Sequence, residues 1–325
     1  MLAIGVDLGG TKVAAGVVDD QGRIIDRFRR PSSADDAVGL VADVVAVIDQ
    51  CRAAHNDVGA VGVAVAGFID ATGDTVLFSP NLAWRDEPLR AEVERACGLA
   101  TVVENDANAA AWGEYRYGAG ADAGDDVVCV TIGTGVGGGA ILGGRLLRGH
   151  FGIAAEIGHV SVVHEGQLCG CGQRGCLEQY ASGSALVVEA RRRAAADPQA
   201  AATLLALGDG TPDGVQGAHV TGAARAGDPV ATAAFEVIGG WLGVGLADIA
   251  AVLDPAVFVV GGGVSEAGEL LLAPARRAFE ASLTGTGHRP VAQLRLASLG
   301  NAAGIVGAAD LARARLGAGA AGGPR

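Results

Sequence analysis

Apolar and polar positions follow two periods along this chain. Leu2–Val6, Val13–Val18 and Arg23–Arg29 are β-branched or alternating, with turn sequences at Leu8–Thr11 and Asp19–Gly22, which predicts three strands in succession. From about Ala34 to Ala54 the apolar residues Val38, Val41, Val45 and Ile48 recur at helical spacing. Val58–Ala66 reads as a buried strand, Asp70–Asp86 as a loop, Glu87–Cys97 as a helix, Thr101–Val103 as a short strand and Ala107–Tyr117 as a helix. The order βββαβαβα predicts an α/β unit on a mixed sheet.

The pattern then restarts. Val127–Ile132 reads as a strand, followed by a glycine-rich turn and a second strand through Leu142. Displaced by 124 positions, Val6-Asp7-Leu8-Gly9-Gly10-Thr11 falls opposite Val130-Thr131-Ile132-Gly133-Thr134-Gly135, and strand, glycine turn and strand recur in register. This predicts a duplicated α/β fold whose halves each present one glycine turn. The expected boundaries are a smaller domain, residues 1–117 plus 302–325, and a larger one, residues 118–301. The larger carries an insertion at Phe151–Ala181, a helix at Ser184–Ala196 and a linker-like stretch at Gly208–Gly217. A long apolar helix, Pro229–Leu253, follows, with Gly239, Gly240, Gly243 and Gly245 permitting close packing. Strand Val257–Val260, helix Glu269–Leu283, strand Val291–Leu296 and helix Ala302–Leu316 complete the pattern, leaving a Gly/Ala tail with nothing to bury.

Composition narrows the classes. Half the residues are hydrophobic, yet no run approaches the ~20 uninterrupted apolar residues of a membrane span, and the first ten residues lack a basic leader. The expectation is a soluble, cytoplasmic protein without a membrane partner. A net charge of −12 opposes a general nucleic-acid surface. Lys12, beside the first glycine turn, is the sole lysine. Cys51, Cys97 and Cys129 are scattered in apolar segments, whereas Cys169, Cys171 and Cys176 lie within eight residues, which points to metal.

Three glycine turns follow apolar strands: Asp7-Leu8-Gly9-Gly10-Thr11-Lys12, the Gly133–Gly139 run with Thr134, Gly135 and Gly138, and Gly261-Gly262-Gly263. Glycine at a strand end lets backbone N–H groups approach phosphate oxygens. Neither a P-loop nor a Rossmann fingerprint fits, because the first two turns lead into strands. Asp7 is placed to hold Mg²⁺ through water, and Thr11 and Thr134 to donate to phosphates. His159 with Cys169, Cys171 and Cys176 offers the full donor set of a closed tetrahedral zinc site, with His164 as the alternative fourth ligand. Such a metal is expected to shape its loop rather than to activate water. Glu104-Asn105-Asp106-Ala107-Asn108 spans a strand end and a helix start, where Asn and Asp are helix caps and Asp106 is also a candidate general base.

Val6–Lys12, Glu104–Asn108, Glu156-Ile157-Gly158-His159 and Cys169–Glu178 together resemble the ROK family of repressors, open reading frames and sugar kinases. The resemblance covers Ile4 to about Ala309. It implies an actin-like ATPase (ribonuclease H-like) duplicated fold of two domains, with sugar and ATP in the cleft between them. It further implies ATP-dependent phosphorylation of glucose at the 6-hydroxyl, with Asp106 as base, Mg²⁺ on the nucleotide and a structural Zn²⁺. Asn105, Glu156, His159 and Glu178 would contact the sugar, and Gly67 and Asn81 would line its pocket. Gly9, Gly10, Thr11, Lys12, Gly133–Gly135, Gly138 and Gly261–Gly263 would serve the nucleotide. Homodimers or homotetramers are implied as well. The alternatives are another hexose (fructose, mannose or an N-acetylhexosamine), polyphosphate as donor, or a non-catalytic sugar sensor. The family's repressors carry a helix-turn-helix ahead of the first strand; none is read here, and a DNA partner is not expected.

Overall fold

The computed structural model describes residues 1–320. β1 (Leu2–Leu8), β2 (Lys12–Val18) and β3 (Ile24–Pro31) form an antiparallel meander, and α1 (Ala37–Ala54) crosses to β4 (Val58–Val65), parallel to β1. The segment read as a loop, with the residues flanking it, holds a small antiparallel sheet, β5 (Phe68–Ile69), β6 (Val76–Phe78) and β7 (Arg85–Glu87). These strands are two or three residues long, too short for a periodic signal. α2 (Leu89–Cys97), β8 (Ala100–Asn105) and α3 (Asp106–Tyr117) follow, and the main sheet runs β3-β2-β1-β4-β8.

Alternation sorts this sheet into two unlike faces. Ile4, Val6, Leu8, Val61, Val63 and Val65 pack with Leu40, Val44, Val47 and Ile48 of α1 and Leu89 and Val93 of α2. Of the Val38/Val41/Val45/Ile48 stripe, Ile48 is in the core and Val41 packs against it, whereas Val38 is exposed. The inward side carries Leu40, Val44, Val47, Ile48 and Cys51, and Asp43 on the same side pairs with Arg30 of β3 at 3.1 Å.

The second half repeats the path. β9 (Val127–Ile132), β10 (Val136–Leu142), β11 (Arg145–Leu146), β12 (Val257–Gly261) and β13 (Gln293–Leu296) form a sheet ordered β11-β10-β9-β12-β13, the same connectivity as the first. β10 is β2 displaced by the 124 positions read from sequence. Between β11 and β12 lie the 3₁₀ turn Ile157–His159, α4 (Glu178–Ala181), α5 (Gly183–Ala196), α6 (Ala202–Leu207), α7 (Gly217–Arg225) and α8 (Pro229–Leu253). The short α6 and the glycine- and threonine-bearing α7 flank the linker-like stretch and were not anticipated.

By length and composition α8 is the one described helix able to span a bilayer, although Glu236 and Asp248 interrupt its apolar run. Half of its most apolar window is nevertheless buried, chiefly against α9 (Glu269–Ser282). A β-carbon on Gly239 or Gly243 would lie 2.5 Å from Pro274 Cγ or 2.3 Å from Ala275 O; Gly245 meets Leu177, whereas Gly240 faces open space.

α10 (Ala303–Ala320) returns to the first sheet and covers its small-residue face. β-Carbons on Gly5 and Gly62 would fall 1.8 Å from Ile305 O and 1.9 Å from Ala308 O, and one on Gly307 would fall 1.7 Å from Ala109 O of α3. α10 continues past Leu316, where a frayed tail was expected; residues 321–325 of that tail lie outside the described residues.

By contacts the chain forms two units: Met1–Cys129 with Gly139–Ala155 and the segment from Ser298, and Val130–Gly138 with Glu156–Ala297. Residues 118–129 and 139–155 thus group with the first unit, although the sequence reading put them in the larger domain. Gly144 N–H donates to Asp125 O at 2.9 Å, and Tyr115 Oη to Asp125 at 3.3 Å, which ties this hairpin to α3.

Candidate functional site

In the first unit β8 delivers Glu104-Asn105-Asp106 to the start of α3. Asn105 is the N-cap, its Oδ1 accepting from Asn108 N–H at 3.0 Å, while Asp106 occupies the first helical position. The cap role therefore falls to Asn105, while Asp106 Oδ1 accepts from Ala107 N–H at 2.9 Å. Asn105 Nδ2 donates to Gly67 O at 3.1 Å, so Gly67 acts on Asn105 through its carbonyl. Glu104 is buried: Oε1 accepts from Asn108 Nδ2 at 3.0 Å and Oε2 from Arg148 Nε at 2.7 Å. This ion pair braces the strand end beneath Asp106.

Asp7 ends the small-residue face of β1. Burial, and next the negative charge of Asp106, push its pKa up to about 6 against the opposing charge of Lys12; burial also raises that of Asp106. The first glycine turn closes with Gly9 N–H donating to Lys12 O at 3.1 Å, and Thr11 and Lys12 are exposed. Gly10 lies against Asn81, whose carbonyl would be 3.3 Å from a β-carbon there.

In the second unit Gly133 N–H donates to Gly135 O at 3.0 Å, a tight turn whose Gly133 has open space at its β-carbon position. Gly133 does not have positive φ, whereas Gly262 does, at 84°, and a β-carbon there would lie 2.5 Å from Ile132 O. Gly261 ends β12, and Gly138 is buried inside β10, away from the turn. Gly133, Thr134 and Gly263 line a cavity of about 750 Å³ together with Gly183, Ser184, Val187, Ala218, Thr221, Gly222, Arg225 and Glu266. The last group went unread in sequence. Its one local signal is Ser182, which caps α5 by accepting from Ala185 N–H at 3.1 Å and presents a helix N-terminus beside the turn.

His159, Cys169, Cys171 and Cys176 place one donor atom each within 4.8 Å of one another, and the exposed His164 is not among them. Cys171 and Cys176 sulfurs are 3.6 Å apart, and Cys169 Sγ lies 3.7 Å from His159 Nδ1. Tetrahedral bonds of ~2.3 Å require sulfur–sulfur edges of roughly 3.7 Å, so the donor set fits zinc. Glu178 follows this cluster; its Oε2 accepts from Val136 N–H at 3.0 Å. Glu156 is half-buried at the head of the 3₁₀ turn that carries His159.

The ROK family profile matches residues 3–315. The chain is 52% identical to the glucokinase of Streptomyces coelicolor over 312 residues, 96% of this chain and 98% of that one. A ROK family glucokinase from Streptomyces griseus, crystallised with glucose and AMPPNP, superposes with a TM-score of 0.86 at 56% identity, covering 97% of this chain and 100% of that one. The ROK hexokinase of Thermus thermophilus gives 0.79 at 32% identity, over 98% of this chain and 100% of that one. With two sheets of one connectivity, two glycine turns 124 positions apart and the Cys/His cluster in its insertion, this chain belongs to the ROK family and has its actin-like ATPase fold.

Proposed function

We propose that the chain is an ATP-dependent hexose kinase that phosphorylates glucose at the 6-hydroxyl, giving glucose 6-phosphate and ADP. The observation that carries this reading is the 56% identity, over 97% of this chain, with a glucokinase crystallised with glucose and AMPPNP. The chemistry is consistent with it. The sugar O6 attacks the γ-phosphorus in line, the O6–P bond forms, the bond to the β,γ-bridging oxygen breaks, and Asp106 takes the hydroxyl proton. Burial favours this proton transfer by raising the basicity of Asp106. Phosphoryl transfer needs little covalent help, so positioning carries most of the work: Asn105 is held by Gly67, and Glu104 by Arg148.

Asp7 is the proposed Mg²⁺ partner, because a cation would relieve the repulsion between two neighbouring carboxylates. The ion, when bound, neutralises charge on the phosphoryl oxygens. Gly9, Gly10, Thr11, Lys12, Gly133, Thr134, Gly135 and Gly263 are assigned to the nucleotide, with Gly261 and Gly262 shaping the third turn. The cavity beside Gly133 is assigned to the nucleoside, and Gly138, inside β10, supports the fold instead. Asn81, Asn105, Glu156, His159 and Glu178 are assigned to the sugar. His159, Cys169, Cys171 and Cys176 are assigned to a structural zinc; His159 Nδ1 faces Cys169, which leaves Nε2 for a sugar hydroxyl. A cytoplasmic homodimer or homotetramer accords with the same reading.

A coupled ADP-release assay with glucose, mannose, fructose and N-acetylhexosamines, each with ATP and with polyphosphate, tests the proposal. Glucose with ATP should give the highest kcat/KM. A higher value for another sugar or for polyphosphate reassigns the substrate, and sugar binding without turnover makes the chain a sensor.

A further inference from the structure

We propose that Glu178 is a positioning residue for the donor side of the reaction, fastening the metal-binding loop to the Gly133–Val136 turn and so fixing the backbone that faces the nucleotide phosphates. The proposal rests on the donor role assigned to that turn above.

Glu178 opens α4 two residues after Cys176. Its Oε2 accepts from Val136 N–H at 3.0 Å, and its Oε1 lies 3.7 Å from Cys169 Sγ. One carboxylate thus touches both the metal-binding cluster and the end of the glycine turn. The peptide unit between Gly135 and Val136 is anchored at both ends, because its carbonyl accepts from Gly133 N–H at 3.0 Å while its N–H goes to Glu178. A β-carbon on Gly135 would fall 2.2 Å from Glu178 Oε2, so the carboxylate occupies the space a side chain would need.

Other contacts from the same segment converge on the turn. Gly158, beside His159, comes so near that a β-carbon would lie 2.0 Å from Val136 O. Past α4, Gly183 N–H donates to Gly133 O at 2.8 Å and Ser184 Oγ to Thr134 O at 2.7 Å. Glycine peptides rotate readily, and a turn made of them holds a shape for phosphate only when its peptides are tied down. Without Glu178 the 135–136 peptide is free to rotate and release Gly133 N–H. The metal-binding loop and the glycine turn are therefore one mechanical piece.

ADP titration without sugar, by calorimetry, tests this in wild type, Glu178→Ala and Glu178→Gln. Losing a charged hydrogen bond that orders the turn should weaken ADP about tenfold or more in Glu178→Ala. Glutamine retains an oxygen that accepts from Val136 N–H, so Glu178→Gln should stay within about threefold of wild type. Amide exchange at Val136 should quicken in Glu178→Ala, and in wild type stripped of metal by a chelator, but not in Glu178→Gln. Should Glu178→Ala not fold, Gly135→Ala displaces the carboxylate with every metal donor intact, and its Val136 amide exchange should quicken in the same way. Unchanged sugar-free ADP affinity and unchanged Val136 exchange in the folded variants would limit Glu178 to the sugar and overturn the proposal. A wild type that binds no ADP would instead overturn the donor role of the turn, and the proposal with it.

Discussion

Asp7 and Asp106 set the chemistry at the residue scale, and their environment makes two measurable statements. Asp106→Asn keeps the shape and the helix start but cannot take the proton. A positioned base contributes roughly 10²–10⁴-fold, so kcat should fall by that factor while glucose still binds by calorimetry. Turnover above a tenth of wild type would reduce Asp106 to a helix-terminal residue. Because burial raises its pKa above the ordinary 3.8, kcat/KM should be lost on the acid side at a pH above that value. Asp7 carries a stability consequence as well. Its folded pKa of about 6 exceeds the ordinary 3.8, so the contribution of its protonated form is fully present below 3.8 and is lost as pH rises through about 6. Above pH 6 the charged Asp7 costs the fold at most about 3 kcal/mol, less where solvent screens it. Asp7→Asn should therefore raise Tm at pH 8, leave it nearly unchanged at pH 4, and abolish turnover. A Tm at pH 8 equal to or below wild type would count against the strained carboxylate.

At the scale of elements, glycine abundance divides into positions the packing requires and positions it does not. Gly307 of α10 crosses Ala109 of α3, where a β-carbon would lie 1.7 Å from a backbone carbonyl that cannot move without shifting its helix. Gly307→Ala should cost about 3 kcal/mol or more. Gly240 of α8 has nothing within contact distance. There Gly240→Ala should stabilise by about 0.5–1 kcal/mol through helix propensity alone. Denaturant melts of the two variants check both signs, and equal effects would show that the α3–α10 approach is not a constraint.

For the whole molecule, the duplication places two glycine turns in equivalent positions of equivalent sheets, and the second half carries the insertion whose Cys/His cluster is proposed to hold zinc. Removing the metal is therefore a perturbation of the second unit. Cys171→Ser substitutes a hydroxyl that stays protonated for a thiolate. It should lose about one zinc per chain by atomic emission, lower Tm and raise the KM for glucose. Wild-type protein purified without zinc would remove the site altogether, and a zinc-free variant with normal glucose KM would separate the metal from the sugar.

The succession of the main strands and helices, the 124-residue repeat, the glycine turns and the Cys/His donor cluster were all legible in the sequence, because each rests on local spacing or on a pattern that recurs along the chain. Asp106 was legible as a helix-start acid, but not its freedom from capping, which depends on Asn105 taking that role. Tertiary structure decided what local spacing leaves degenerate. It decided which side of α1 faces the sheet, and between His159 and His164 through which imidazole meets the three sulfurs. It built the cavity from α5 and α7 residues that carry no motif, and tied Glu178 to a turn 42 positions away. Asp7 acquired its raised pKa because packing buries it and, second, because Asp106 at the start of α3 lies near it. Periodicity reports which residues face inward, and only the packed chain determines what they face.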